Sequence, residues 1–263
     1  MTPIVPLGGY AGWRFLSASL DAQVARFADS PVQARDRAYF RETIGSITSA
    51  AELVADYRLR RVALSAFGLQ DDMANRAFIE RVLADGVVEE DALANKLADT
   101  RYREFSEAFG FGSPLPPRTQ MPGFADKILA KFDRQAFEVA VGEQDDDMRL
   151  ALNAARALPE LAESGVSDTT AWLTILGTPP LRSVFETALG LPSGIATLDL
   201  DRQVEDFRDA ASRVLGSAEI AQFSDPARVE DLMRNFTLRA QLSNGPSMTT
   251  PGYAAMTLLA SMV

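Results

Sequence analysis

The stretch Asp72-Met-Ala-Asn-Arg-Ala-Phe-Ile-Glu-Arg-Val-Leu-Ala-Asp-Gly86 carries the fold in miniature. Phe78, Ile79, Val82 and Leu83 stand at i, i+1, i+4 and i+5, which puts all four on one face of an α-helix. The spacing predicts a helix over about residues 72–85. Gly86 follows at once, and glycine can take the left-handed conformation that closes a helix without a Cβ clash.

The same grammar repeats in both directions. Leu16, Leu20, Val24 and Phe27 fall at helical steps; so do Leu93 and Leu97, then Tyr102, Phe105 and Phe109. Further on come Ile128, Leu129 and Phe132, then Met148, Leu152 and Ala155, then Val204, Phe207, Ala211 and Leu215, and last Val229, Leu232, Met233 and Phe236. Gly68, Gly110, Gly190 and Gly216 each follow such a run as a stop. Ser30-Pro31, Thr178-Pro179 and Asp225-Pro226 each offer a capping oxygen before a proline at the first helical position, where its missing N–H costs nothing. Ser49-Ala-Ala-Glu52 has capping-box spacing. No segment sustains a period of two with hairpin turn chemistry, so the expected fold is all-α and multihelical, with two packed lobes and no significant β-sheet.

The break between the lobes is Gly112-Ser-Pro-Leu-Pro-Pro-Arg-Thr-Gln-Met-Pro-Gly123, whose four prolines cannot lie inside a helix. It divides an N-terminal lobe, residues 1–111, from a C-terminal lobe, residues 124–246, and leaves an apolar tail, residues 247–263. Leu115 and Met121 suggest that the connection lies on the protein as a strap. Ala66-Phe-Gly-Leu69, Ala108-Phe-Gly-Phe111 and Ala188-Leu-Gly-Leu191 echo one another; a recurrent helix end explains them more simply than a solenoid, because their spacing is unequal.

Composition narrows the chemistry. With 263 residues, 47% of them apolar, the chain can bury a substantial core. It contains no Cys and no His, which removes disulfides, thiolate nucleophiles, imidazole bases and the usual zinc sites. The net charge is −10, and the 26 basic residues include only three lysines, Lys96, Lys127 and Lys131. An acidic chain is poorly suited to nucleic acid; Arg58, Arg60 and Arg61 read as salt-bridged helix faces rather than a phosphate patch. No apolar run approaches the roughly 20 residues of a membrane span, so no membrane insertion is expected. The N-terminus lacks a basic segment followed by an apolar stretch, so the default location is cytoplasmic, with flagellar association or export by a specialised route left open.

Four segments are familiar: AFGLQDDMANRAFIERVL at 66–83, LADTRYREFSEAFGF at 97–111, FEVAVGEQDDDMRLALNAAR at 137–156 and PLRSVFETALGLP at 180–192. Together they resemble domain-of-unknown-function family 1217 of alphaproteobacteria, from about Tyr39 to Leu242. The resemblance implies a multihelical fold, a gene often found among flagellar genes, and no assigned catalytic residues. Axial flagellar subunits usually carry heptad-patterned termini that assemble as coiled coils. The short N-terminal pattern here departs from that, so an accessory or assembly role fits better than an axial one.

Candidate sites are few. Glu143-Gln-Asp-Asp-Asp147 lacks the alternating ligands and turn glycine of a calcium loop; it reads as a solvated face, or as acids at the positive end of a helix starting near Asp146. Asp199-Leu-Asp201 could form a carboxylate pair, but Asp201 as an N-cap is the simpler reading. No phosphate-binding loop or nucleophile elbow is present, and neither cofactor nor metal is expected. In the uncharged tail, Tyr253, Met256, Leu259 and Val263 could form one apolar stripe that packs on the protein's own body or docks with a partner. Two functions follow. The first is a non-enzymatic helical protein working through protein–protein contacts in flagellar assembly or function. The second is a small-ligand binder or carboxylate-based enzyme, with Arg182, Arg101 and Arg103 gripping an anion between the lobes.

Overall fold

All five glycines predicted to stop a helix have positive φ, between 68° at Gly190 and 80° at Gly216. The computed structural model describes residues 2–244, in which there are thirteen α-helices, five short 3-10 turns and no strand. The helices are α1 (Gly9–Ala28), α2 (Pro31–Thr43), α3 (Ala50–Ala55), α4 (Tyr57–Ala66), α5 (Arg76–Asp85), α6 (Leu93–Lys96) and α7 (Arg101–Phe109). After the proline-rich connection come α8 (Phe124–Gly142), α9 (Asp146–Glu163), α10 (Asp168–Leu176), α11 (Pro179–Leu189), α12 (Leu200–Leu215) and α13 (Pro226–Asn244). The all-α expectation holds. Tyr253, Met256, Leu259 and Val263 lie outside the described residues.

Several helix ends differ from their sequence reading. The helix predicted from Asp72 starts at Arg76, because Gln70–Ala74 winds as a separate 3-10 turn. At Ser30 and Thr178 the side chain makes no capping bond; Thr178 Oγ1 turns instead to Thr100 Oγ1 at 2.8 Å and to the Thr174 carbonyl at 2.7 Å. Asp225 does cap, accepting from Ala227 N at 2.9 Å. In the predicted capping box, Ser49 Oγ accepts from Glu52 N at 3.3 Å, but Glu52 reaches one residue further back, to Thr48 N at 2.8 Å. The echoed segments are helix ends, as read. Leu69 N donates to Leu64 O, and Leu191 N to Glu186 O, both at 2.9 Å, the six-residue closure around a left-handed glycine.

Two apolar clusters form the core, and they do not divide the chain at 112–123. One gathers Phe40, Leu53, Leu59, Phe105, Phe109 and Phe132 from α2 to α8. The other joins Trp172, Phe185, Phe207, Phe223 and Phe236 to Trp13, Leu16 and Phe27 of α1. The first helix thus belongs to the core of the C-terminal helices, although it opens the chain. Glu230 on α13 explains why: it accepts from Tyr10 Oη at 2.8 Å and Trp13 Nε1 at 2.9 Å. Helix α8 serves both clusters, Phe124 to Phe132 on one side and Phe137 and Val141 on the other, and Ala136 touches both.

The connection at 112–123 is a strap, held differently from the expectation. Leu115 and Met121 point outward, 70% and 53% exposed. The strap is fixed by Thr119, whose hydroxyl donates to the Ile47 carbonyl at 2.7 Å in a buried position, and by backbone packing of Gly112 on Gly86. A Cβ on Gly112 would stand 2.4 Å from Gly86 N, so both positions need glycine.

Candidate functional site

The seam between the two clusters holds a buried polar network that neither apolar core would tolerate unless satisfied. Phe137 and Val141 flank Glu138 on α8 and bury it to 2% exposure. Across the seam on α9, Arg156 Nε donates to Glu138 Oε1 at 2.9 Å and Nη2 to Oε2 at 3.4 Å. Asn153, one turn earlier, donates to the same oxygen at 3.5 Å. Gln135, with its amide oxygen toward Arg156, accepts from Nη2 at 2.8 Å and donates to Glu138 at 3.0 Å. Burial works against the Arg156 charge, but the attraction and hydrogen bonding of Glu138 outweigh it and hold its pKa above the ordinary value. Beside the network, Glu104 keeps an edge in solvent, yet desolvation by the side chains packed round its carboxyl pushes it above the ordinary value, opposed by Lys131 and Arg156.

The three arginines expected to converge on an anion do not. Arg101 reaches the seam but is spent on Asp99, at 3.0 and 2.6 Å, and on the Gly68 carbonyl. Arg182 pairs with Glu186 at 2.7 Å and Gln203 at 2.8 Å. Arg103 donates to Asn95 at 3.2 Å on an exposed face. Each is matched nearby, Arg182 by the i+4 residue of its own helix and Arg101 and Arg103 by residues of the segment that precedes α7.

The remaining candidates resolve as capping and surface pairing. Asp145 caps α9 through Met148 N at 3.1 Å, and Asp146 pairs with Arg149 at 2.7 Å, as expected for acids at a helix start. Asp199, not Asp201, caps α12, taking Arg202 N at 2.9 Å; Asp201 lies inside the first turn. The trio Arg58, Arg60 and Arg61 is used in three ways rather than as one ion-paired face. Arg61 pairs with the buried Asp36, Arg58 lies over the Tyr39 ring at 5.2 Å, and Arg60 is itself buried and donates to the Val54 carbonyl. Among the described residues no group of acids is placed to hold a metal ion, and no helix is long and apolar enough to cross a membrane.

Sequence reasoning missed the seam network. A signal was present: Glu138 interrupts Phe137-Glu-Val-Ala-Val141, and Asn153 stands in Leu150-Ala-Leu-Asn-Ala154, polar side chains inside otherwise apolar runs.

A family model for proteins of unknown function, DUF1217, matches residues 66–229. The chain belongs to this family. The whole seam network, from Glu104 to Arg156, lies inside the DUF1217 segment, while α1 and most of α13 lie outside it. The chain is also similar to a protein from Agrobacterium tumefaciens whose crystal structure was a structural-genomics target. The two are 28% identical with a TM-score of 0.75, over 93% of this chain and 100% of that one. None of the curated proteins matches the chain.

Proposed function

We propose that this DUF1217 protein is a non-enzymatic accessory or assembly protein of the bacterial flagellum, acting through contacts with other proteins. What supports the flagellar half is the family resemblance, which implies a gene often found among flagellar genes; the family itself is one of proteins of unknown function. The observation that carries the contact half of the proposal is an exposed leucine pair on α13. Leu238 and Leu242 stand at i and i+4 on the outer face, 43% and 82% exposed, opposite the buried Leu232, Met233 and Phe236. Leu7, 58% exposed, precedes α1, whose first residue, Gly9, packs against Gln241 of α13. Apolar anchors at helical spacing suit a partner that offers a hydrophobic groove. The uncharged segment 247–263 follows this helix in sequence after Gly245-Pro246.

A deletion strain complemented with wild-type protein or with the Leu238→Glu/Leu242→Glu variant tests the proposal. Loss of swimming or of normal flagella on deletion, restored by wild type and not by the folded variant, is the expected result. Normal motility in the deletion strain would remove the flagellar reading.

A further inference from the structure

Beside the Glu138 network lies a cleft of about 350 Å³, open to solvent on one side and walled by α8, α9 and the turn after α4, with Arg101 of α7 and Pro180 of α11 at its edge. Asn153 lines it and is only 9% exposed. Its Nδ2 is committed to Glu138, which fixes the amide and leaves Oδ1 buried without a donor. Gln70 lines the same cavity, and its Oε1 is likewise buried without a donor. A buried acceptor left unmatched is costly, so each oxygen calls for an N–H or O–H from an occupant.

The charges say which kind of occupant. Every guanidinium in the wall is already matched, Arg101 by Asp99 and Arg149 by Asp146, and Glu138 is matched by Arg156. The acids of the wall with no ion-pair partner among the described residues are Asp71 and Glu143. A second cavity of about 330 Å³ shares Gln70, Val139 and Glu143 with the first. There too an acceptor, Gln33 Oε1, is buried without a donor, while the one guanidinium, that of Arg61, is held by Asp36. Unmatched acceptors thus stand on both sides of one shared wall, the unpaired Glu143 lies in that wall, and each lining guanidinium is already matched.

We propose that this pair of cavities binds a short aliphatic diamine, one ammonium donating to Asn153 Oδ1 and Gln70 Oε1 and the other to Gln33 Oε1, with Glu143 between them supplying the countercharge. The inference goes beyond the interaction role and does not depend on it. An ammonium offers three donors and one positive charge, which is what this lining lacks. An anionic ligand, by contrast, would meet unpaired carboxylates and acceptor oxygens.

Titration of the full-length protein with diaminobutane, and with succinate as a dicarboxylate of equal chain length, tests it by calorimetry at physiological ionic strength. Saturable one-to-one binding of the diamine and none of succinate is expected. Removing the Asn153 acceptor with Asn153→Leu should weaken diamine binding at least about tenfold, the loss of a charge-assisted hydrogen bond. Gln70→Leu, at a less buried position, should do the same and serves where Asn153→Leu does not fold. No saturable diamine binding, equal binding of succinate, or unchanged affinity in a folded variant would each overturn the proposal.

Discussion

Arg156 and Glu138, eighteen residues apart, meet Nε to Oε1 at 2.9 Å and lock α9 to α8 close to Ala136, which touches both apolar clusters. The pair is shielded from water on the Glu138 side and extended by Gln135 and Asn153, so its members are not interchangeable with a surface ion pair. Arg156→Leu should cost about 3 kcal/mol, because it strands a buried carboxylate. The double variant Glu138→Leu/Arg156→Leu should lose clearly less than the sum of the two single changes, since it strands no charge. Urea unfolding of the four proteins reads both results.

Glu230 ties α1 to α13 and sets an acid limit on that contact. Burial raises its carboxyl pKa, but Trp13, Tyr10 and Arg14 donate to it and bring the net value below the ordinary 4.5. A depressed carboxylate stabilises the fold fully above its unfolded pKa and loses that contribution as pH falls through the folded value. Stability should therefore drop as pH falls below about 4.5. Glu230→Gln should be less stable at neutral pH and show a shallower acid dependence. Thermal melts across pH 7 to 3 measure the difference.

Trp172, Phe185 and Phe223 form an edge-to-face run in the larger cluster, with ring centroids 5.5 and 5.8 Å apart and all three side chains fully buried. Phe185→Ala should open a cavity there and cost about 3–5 kcal/mol. Phe185→Leu, which keeps most of the volume, should cost less than half as much. A red shift of Trp172 emission would accompany the first change and not the second.

The start of α12 offers a matched pair of acids. Asp199 takes the Arg202 N–H, whereas Asp201 makes no capping bond. Asp199→Ala should cost about 1 kcal/mol and Asp201→Ala a few tenths, the difference between a filled and an unfilled helix cap. Denaturant midpoints of the two variants compare them directly.

Much of this fold was legible, for a physical reason. Helix periodicity and glycine stops are local, and Gly68, Gly86, Gly110, Gly190 and Gly216 all take the positive φ that their places in the sequence imply. What failed was non-local. Helix α1 opens the chain but packs with the last helices, because Glu230 lies 217 residues from the Trp13 it binds. The capping atom also escaped: Ser30 and Thr178 have the right chemistry, yet only Asp225 of the three proline-preceding residues turns its oxygen inward. The seam was missed because Glu138 and Arg156 look like ordinary helix charges until the packing of α8 on α9 removes water from one of them.

Crosslinking-assisted capture from motile cells, with wild-type protein beside the Leu238→Glu/Leu242→Glu variant, tests the proposed role most directly. A flagellar component retained by the wild type and lost from the equally folded variant is the predicted outcome. Equal recovery by both proteins, or recovery of no flagellar component by either, would contradict it.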